Sequence, residues 1–132
     1  MPATVLIVED EIFVALDLER ILTDAGYKVK AIAADKPTAI DAAAECNFAL
    51  VDINLRDGPT GPELAKTLAN EYGLKVVFVT ANPGQIEHPS GALGYVRKPF
   101  SDQAILAAAA LATAQVLPTT DDVVLLGDEF TG

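Results

Sequence analysis

The sequence predicts an α/β fold with a doubly wound parallel sheet of five strands in the order 2-1-3-4-5. Three observations predict it. Short, continuous apolar runs rich in β-branched residues recur along the chain. Segments of helical period separate them. Several of the runs stop abruptly at polar residues, as strands buried on both faces do where they leave a sheet. Strands and helices alternating at this spacing form repeated βαβ units, whose strands run parallel.

The first run, Thr4–Val8, reads TVLIV and stops at Glu9-Asp10-Glu11. A helical pattern follows. Val14, Leu18, Ile21, Leu22 and Ala25 fall on one apolar stripe, Asp17, Arg20 and Asp24 lie off it, and Gly26 supplies the stop. Residues 27–33 alternate as a second strand. Residues 37–46 form an Ala-rich helix with Pro37 in its first turn. Phe48–Val51 is the third strand, ending at Asp52. The loop 54–61 carries the turn residues Asp57, Gly58, Pro59 and Gly61, and the helix 62–72 is stopped by Gly73. The fourth strand, 75–79, ends at Thr80.

Residues 82–91 hold two prolines and two glycines, so a full helix is not expected there; one turn is. The same composition makes this segment the expected mobile part of the domain. The fifth strand, 93–96, leads through Lys98-Pro99-Phe100 to a final helix over 102–116, with Ser101 as N-cap. Residues 118–132 read as an acidic tail whose one apolar patch, 123–126, either stays loose or docks. Five strands in this rhythm fit the flavodoxin-like arrangement, in which sites form beyond the carboxyl ends of the strands.

Composition narrows the function classes. The chain has 132 residues, the size of one domain, and 51% hydrophobic with 21% charged residues excludes wholesale disorder. A net charge of −10 argues against DNA and against anionic lipid, where cations must neutralise phosphates. One cysteine, Cys46, excludes an internal disulfide, and one histidine, His88, excludes a multi-histidine metal site. Cys46 reads as a small packing residue and His88 as a solvated loop residue. No apolar run approaches the ~20 residues a membrane span needs. The first residues lack the features of a signal peptide, so a soluble, cytoplasmic location is expected.

The strand ends collect Glu9, Asp10, Asp52, Thr80 and Lys98. Strands 1 and 3 are neighbours in the expected order, so three carboxylates converge. Two like charges ~4 Å apart cost roughly 4 kcal/mol at an effective dielectric near 20. Protonation would compensate, and so would a cation. Hard carboxylate oxygens without histidine or thiolate suit Mg²⁺, which keeps waters and binds phosphate beside one or two carboxylates. A carboxylate, a divalent cation, a lysine and a hydroxyl are the parts of a phosphoryl-transfer site, with the carboxylate as nucleophile.

The segments Val5-Leu6-Ile7-Val8-Glu9-Asp10-Glu11, Leu50-Val51-Asp52-Ile53-Asn54-Leu55, Val79-Thr80-Ala81 and Gly94-Tyr95-Val96-Arg97-Lys98-Pro99-Phe100 together resemble the response-regulator receiver domains of two-component signalling. The resemblance covers residues 4–117 and leaves 118–132 as a tail without an output domain. It implies that Asp52 is the phosphoacceptor, that Asp10 and Glu9 ligate Mg²⁺ beside Asp52, and that the Asn54 backbone carbonyl completes the protein ligands. Thr80 and Lys98 would contact the phosphoryl oxygens, Thr80 and Tyr95 would form the switch, and Lys98-Pro99 would be cis.

The implied activity is acceptance of a phosphoryl group from a sensor histidine kinase or phosphotransfer protein. The chain would be a self-phosphorylating acceptor with slow autodephosphorylation rather than a turnover enzyme. It would signal by contact with a downstream protein, or serve as a relay or phosphate sink. The short interval between Thr80 and Lys98 departs from the family pattern. With its prolines and glycines it implies a fourth helix shortened or disordered, and the Phe78-Val79-Thr80-Ala81 segment with Tyr95 is similar to that of the atypical alphaproteobacterial receivers associated with HWE-type kinases. The alternative is a receiver-like binding module that works without phosphorylation. An FMN site is disfavoured because Glu9-Asp10-Glu11 would repel phosphate. A dehalogenase-type phosphatase would want Asp where Asn54 stands.

Overall fold

β1 (Thr4–Val8) is buried from Val5 onward because its alternate residues face two different cores. Val5 and Ile7 enter one apolar cluster, while Leu6 and Val8 enter the other. β3 (Phe48–Val51) divides the same way, with Phe48 and Leu50 on one side and Ala49 and Val51 on the other. The period of two residues per strand thus explains continuous apolar runs without alternation. The computed structural model describes residues 3–87, 90–114, 117–118 and 121–126. His88, the helix end expected at 115–116 and much of 118–132 lie outside the described residues.

The remaining elements follow the expected order. They are α1 (Ile12–Asp24), β2 (Lys28–Ala33), α2 (Lys36–Ala42), α3 (Gly61–Tyr72), β4 (Lys75–Thr80), β5 (Gly94–Arg97) and α4 (Asp102–Ala114). The sheet order is β2-β1-β3-β4-β5, all parallel. α1 buries Leu18, Ile21 and Leu22, and α4 buries Ile105 and Leu111, in the cluster that also holds Val77, Val79 and Val96. α3 contributes Leu64, Ala65 and Leu68 to the opposite cluster, with Ala39 of α2 and Phe78 of β4. Asp35 caps α2 by accepting from the Thr38 amide at 3.0 Å, and Ser101 Oγ accepts from the Ala104 amide at 3.1 Å. Gly73 ends α3 at φ 70°, a left-handed conformation that glycine adopts without steric cost.

Two details differ from the sequence expectation. α2 stops at Ala42 rather than reaching Cys46, because the chain must turn into β3. Glu45 takes φ 71°, and Asn47 ties the turn to Thr4 through two 2.8 Å bonds. The second difference is a sixth strand, β6 (Val123–Leu125), paired antiparallel to β5 at the sheet edge. The apolar patch of the tail therefore docks on the domain. Between β4 and β5 the described residues hold a single 3-10 turn, Pro83–Gln85, and no full helix, as the prolines and glycines there imply. No helix among the described residues is long and apolar enough to cross a membrane.

Candidate functional site

The parallel register of β1 and β3 builds the site. Val8 lies opposite Val51, and the Asp52 amide donates to the Val8 carbonyl at 2.9 Å. The residues that follow, Glu9, Asp10 and Asp52, are thereby set side by side beyond the carboxyl ends of the strands. One carboxylate oxygen from each lies within 4.8 Å of the others. Glu9 is 2% exposed and Asp52 6%, while Asp10 faces solvent.

β5 brings the opposing charge. The Lys98 amide donates to the Thr80 carbonyl at 3.0 Å, which fixes the backbone just after β5 against the end of β4. The Lys98 ammonium then reaches Asp52 Oδ2 at 2.9 Å and Glu9 Oε1 at 2.6 Å, with Glu11 at 3.8 Å. The Glu9 contact is an ion pair outside good hydrogen-bond alignment, which leaves Glu9 Oε1 a buried oxygen without an aligned donor. Its other oxygen accepts from the Glu11 amide at 3.1 Å. Asp52 Oδ1 accepts from the Ile53 amide at 2.7 Å. The Lys98-Pro99 bond is cis.

The electrostatics follow from burial. Removal from water pushes the Glu9 carboxyl up to about 7; contacts with Lys98 and the Glu11 amide offset this in part, and the charge of Asp52 adds to it. Burial works against the Lys98 ammonium, but Glu9 and then Asp52 outweigh it, so its pKa is raised. The ammonium stays charged and serves two carboxylates at once. A buried Glu9 at the margin of ionisation is a group that a further cation would favour in its charged form.

That donor set fits Mg²⁺. The ligands are carboxylate oxygens from Glu9, Asp10 and Asp52, and Asp10 is open to water, which a hydrated Mg²⁺ requires. Thr80 is fully buried at the end of β4, where its hydroxyl accepts from the Asn82 amide at 3.0 Å. The side-chain amide of Asn54 donates to Gln85 Oε1 at 3.0 Å, tying the loop after β3 to the 3-10 turn. Tyr95 lies outside the carboxylate cluster. It is half-buried in β5, opposite Phe78 on one side and Val124 of β6 on the other.

Three residues that shape the site carry no role in the sequence reading. Glu11 supplies both an amide to Glu9 and a second-rank carboxylate to Lys98. Gln85 holds Asn54. Gly61 lets the start of α3 approach the backbone of Asp52 and Ile53, because a Cβ there would stand 2.2 Å from the Asp52 carbonyl oxygen and 2.5 Å from Ile53 Cα. Its role was legible only as a turn residue; the contact is tertiary.

The chain matches the response regulator receiver domain family over residues 5–110. The phyllosphere-induced regulator PhyR of Methylorubrum extorquens is 33% identical over 106 residues, covering 76% of this chain and 39% of the relative. The transcriptional regulatory protein PdtaR of Mycobacterium tuberculosis is 28% identical, covering 87% of this chain and 58% of the relative. The chain thus spans about two fifths to three fifths of these curated relatives. Among solved structures, the PhyR receiver domain of Erythrobacter litoralis superposes with a TM-score of 0.77 at 26% identity, covering 90% of this chain and 95% of that one. A CheY-like receiver domain from Methanospirillum hungatei gives 0.71 at 28% identity, covering 80% and 89%. With the parallel sheet, the acidic cluster at its carboxyl edge and the lysine after β5, these matches make the chain a member of the response-regulator receiver family.

Proposed function

We propose that the chain accepts a phosphoryl group on Asp52 from the phosphohistidine of a sensor kinase or phosphotransfer protein, in a reaction that needs Mg²⁺. The observation that carries this reading is the shared contact of Lys98 with Asp52 and Glu9, 2.9 Å and 2.6 Å away, next to Asp10 at the end of β1. In the transfer, the P–N bond to the imidazole breaks while a P–O bond forms at a carboxylate oxygen of Asp52. The imidazole leaves as a neutral ring once it holds a proton. Lys98 would pair with the equatorial oxygens, and the Thr80 hydroxyl would donate to one of them. Mg²⁺, held by Glu9, Asp10, Asp52 and the Asn54 carbonyl, would supply further charge neutralisation. Tyr95, in register between β4 and β6, is the proposed switch partner of Thr80 when Asp52 is phosphorylated.

The donor's approach is open beside α1. Phe13 is 84% exposed, and Ile12 and Leu16 are exposed with it. Phe13, Leu16 and Arg20 line a cavity of about 880 Å³ together with Ala81, Lys98 and Phe100. An apolar patch that ends at Lys98, the ion-pair partner of Asp52, suits the docking of a partner helix carrying the phosphohistidine. A phosphorylated chain would then act by protein contact, as a relay intermediate or as a phosphate sink.

The test is labelling by a small-molecule phosphodonor with Mg²⁺, read on a phosphate-affinity gel for wild type and Asp52→Ala. Labelling of wild type alone is expected. Equal labelling of both proteins, or of neither with a cognate kinase present, counts against the reading.

A further inference from the structure

The antiparallel β6 sits on an edge that the parallel βαβ units leave bare. Gly94 lies opposite Leu125, Tyr95 opposite Val124 and Val96 opposite Val123, and the Leu126 amide adds a bond to the Leu93 carbonyl at 3.1 Å. The seat is shaped for a backbone. A Cβ on Gly94 would stand 2.5 Å from the Val124 carbonyl oxygen, and its next nearest atoms also belong to Val124 and Leu125. The three nearest atoms to that position all belong to β6, so glycine here makes room for the β6 backbone.

The contact surface has a defined chemistry. Val123 is buried in the cluster beneath α1 and α4, whereas Leu126 is buried in the opposite one with Ile86 and Ala92. Val124 and Leu125 remain well exposed. Ahead of them, Asp121 and Asp122 line a cavity of about 570 Å³ with Tyr95, Arg97, Pro99 and Val124. The edge thus accepts an extended segment with acidic residues first and β-branched or aliphatic residues after. Pairing of main-chain groups supplies the affinity, and the two buried positions with the basic end supply selectivity.

A ladder of three residues is short, and a sheet edge left bare is a template for any chain of the same pattern. We propose that the edge of β5 is a docking groove for an extended acidic–apolar segment of a partner protein, and that β6 is the chain's own occupant, which the partner displaces. Because β6 is covalently attached, its effective concentration is in the millimolar range, so a free peptide competes weakly until β6 is loosened. This reading does not depend on phosphorylation of Asp52.

The probe is a fluorescein-labelled, capped peptide of the sequence Asp-Asp-Val-Val-Leu-Leu, added to the full chain and to three full-length variants. Val123→Asp removes the buried anchor of β6, and Val124→Pro removes a strand amide at an exposed position. Gly94→Ala closes the groove itself. Anisotropy should show at least tenfold tighter binding to Val123→Asp and Val124→Pro than to wild type, and no binding to Gly94→Ala. Amide exchange should show protection lost over 123–125 in all three variants and retained in β1 and β3. Equal binding by all four proteins, or absence of binding by both loosened variants, overturns the proposal. So does loss of protection in β1 and β3 in both loosened variants, since β6 would then be an inseparable part of the fold.

Discussion

Lys98 and Asp52 are 46 positions apart in the chain, yet the lysine ammonium stands 2.9 Å from the Asp52 carboxylate and is 13% exposed there. The same ammonium meets Glu9, so one cation balances two buried carboxylates. Removing it leaves both without compensation. Lys98→Ala is expected to destabilise the metal-free protein by about 3 kcal/mol, the scale for breaking a buried ion pair. Added Mg²⁺ should recover part of that loss, because it can replace the missing charge. Urea unfolding with and without Mg²⁺ reads both effects. Unchanged stability in Lys98→Ala would mean that Glu9 simply takes up a proton and needs no partner. In signalling, the variant should still be labelled by phosphodonor but should lose activation-dependent partner binding.

Asp10 tests the cation from the other side. It adds a third carboxylate to Glu9 and Asp52 while remaining exposed. Asp10→Asn should raise metal-free stability by about 1 kcal/mol or less, the cost of two unit charges ~4 Å apart in water. It should also abolish Mg²⁺-dependent labelling of Asp52, as chelation of the metal should in wild type. Labelling at the wild-type rate would remove Asp10 from the ligand set.

Gly61 is a steric prediction. With 2.2 Å between its Cβ position and the Asp52 carbonyl oxygen, alanine forces the loop after β3 or the start of α3 to move. Gly61→Ala should cost about 1–3 kcal/mol, the range for overpacking, and should slow labelling of Asp52. Thermal unfolding and the labelling rate check it together. A variant with native stability and rate would show that the loop gives way freely.

Phe13 separates docking from chemistry. At 84% exposed it packs against little within the chain, so Phe13→Ala should leave stability within about 0.5 kcal/mol of wild type. Labelling by a small-molecule donor should be unchanged, while transfer from a phosphorylated partner kinase should fall several-fold. Equal transfer by both proteins would place the docking surface elsewhere.

The five parallel strands and the carboxylate cluster were legible in the sequence for one physical reason. A strand buried on both faces must be apolar throughout, so the first polar residue marks its end, and in a parallel sheet those ends share one edge. Glu9, Asp10, Asp52 and Thr80 were found this way. β6 was not read as a strand, because three residues carry no usable period and the deciding feature is the clearance at Gly94, which only the folded edge reveals. The shared pairing of Lys98 with Glu9 was also hidden. The sequence places the lysine near the site but not the rotamer that reaches both carboxylates. The end of α2 was missed because alanines at 42–44 favour a helix that the turn at Glu45 overrules.

The connection from β4 to β5 yields the last prediction. Its described turn, Pro83–Gln85, is held by two backbone bonds, Gln85 amide to Asn82 carbonyl at 3.0 Å and Ile86 amide to Pro83 carbonyl at 3.2 Å. Beyond these, the side chain of Ile86 reaches the core, and Gln85 accepts from Asn54 at 3.0 Å. So few contacts should leave the amides of Gln85 and Ile86 exchanging far faster than those of β4. Two attachments connect the turn to the site, Asn54 in the loop after Asp52 and the Asn82 amide on Thr80 Oγ1. A phosphoryl mimic with Mg²⁺ should draw Thr80 toward Asp52, shift Asn82 with it and raise protection at Gln85 and Ile86. Gln85→Ala should remove most of that gain while leaving Asp52 labelling intact. Strong protection of both amides before the mimic is added, unchanged afterwards, would show a turn already fixed and uncoupled from the site.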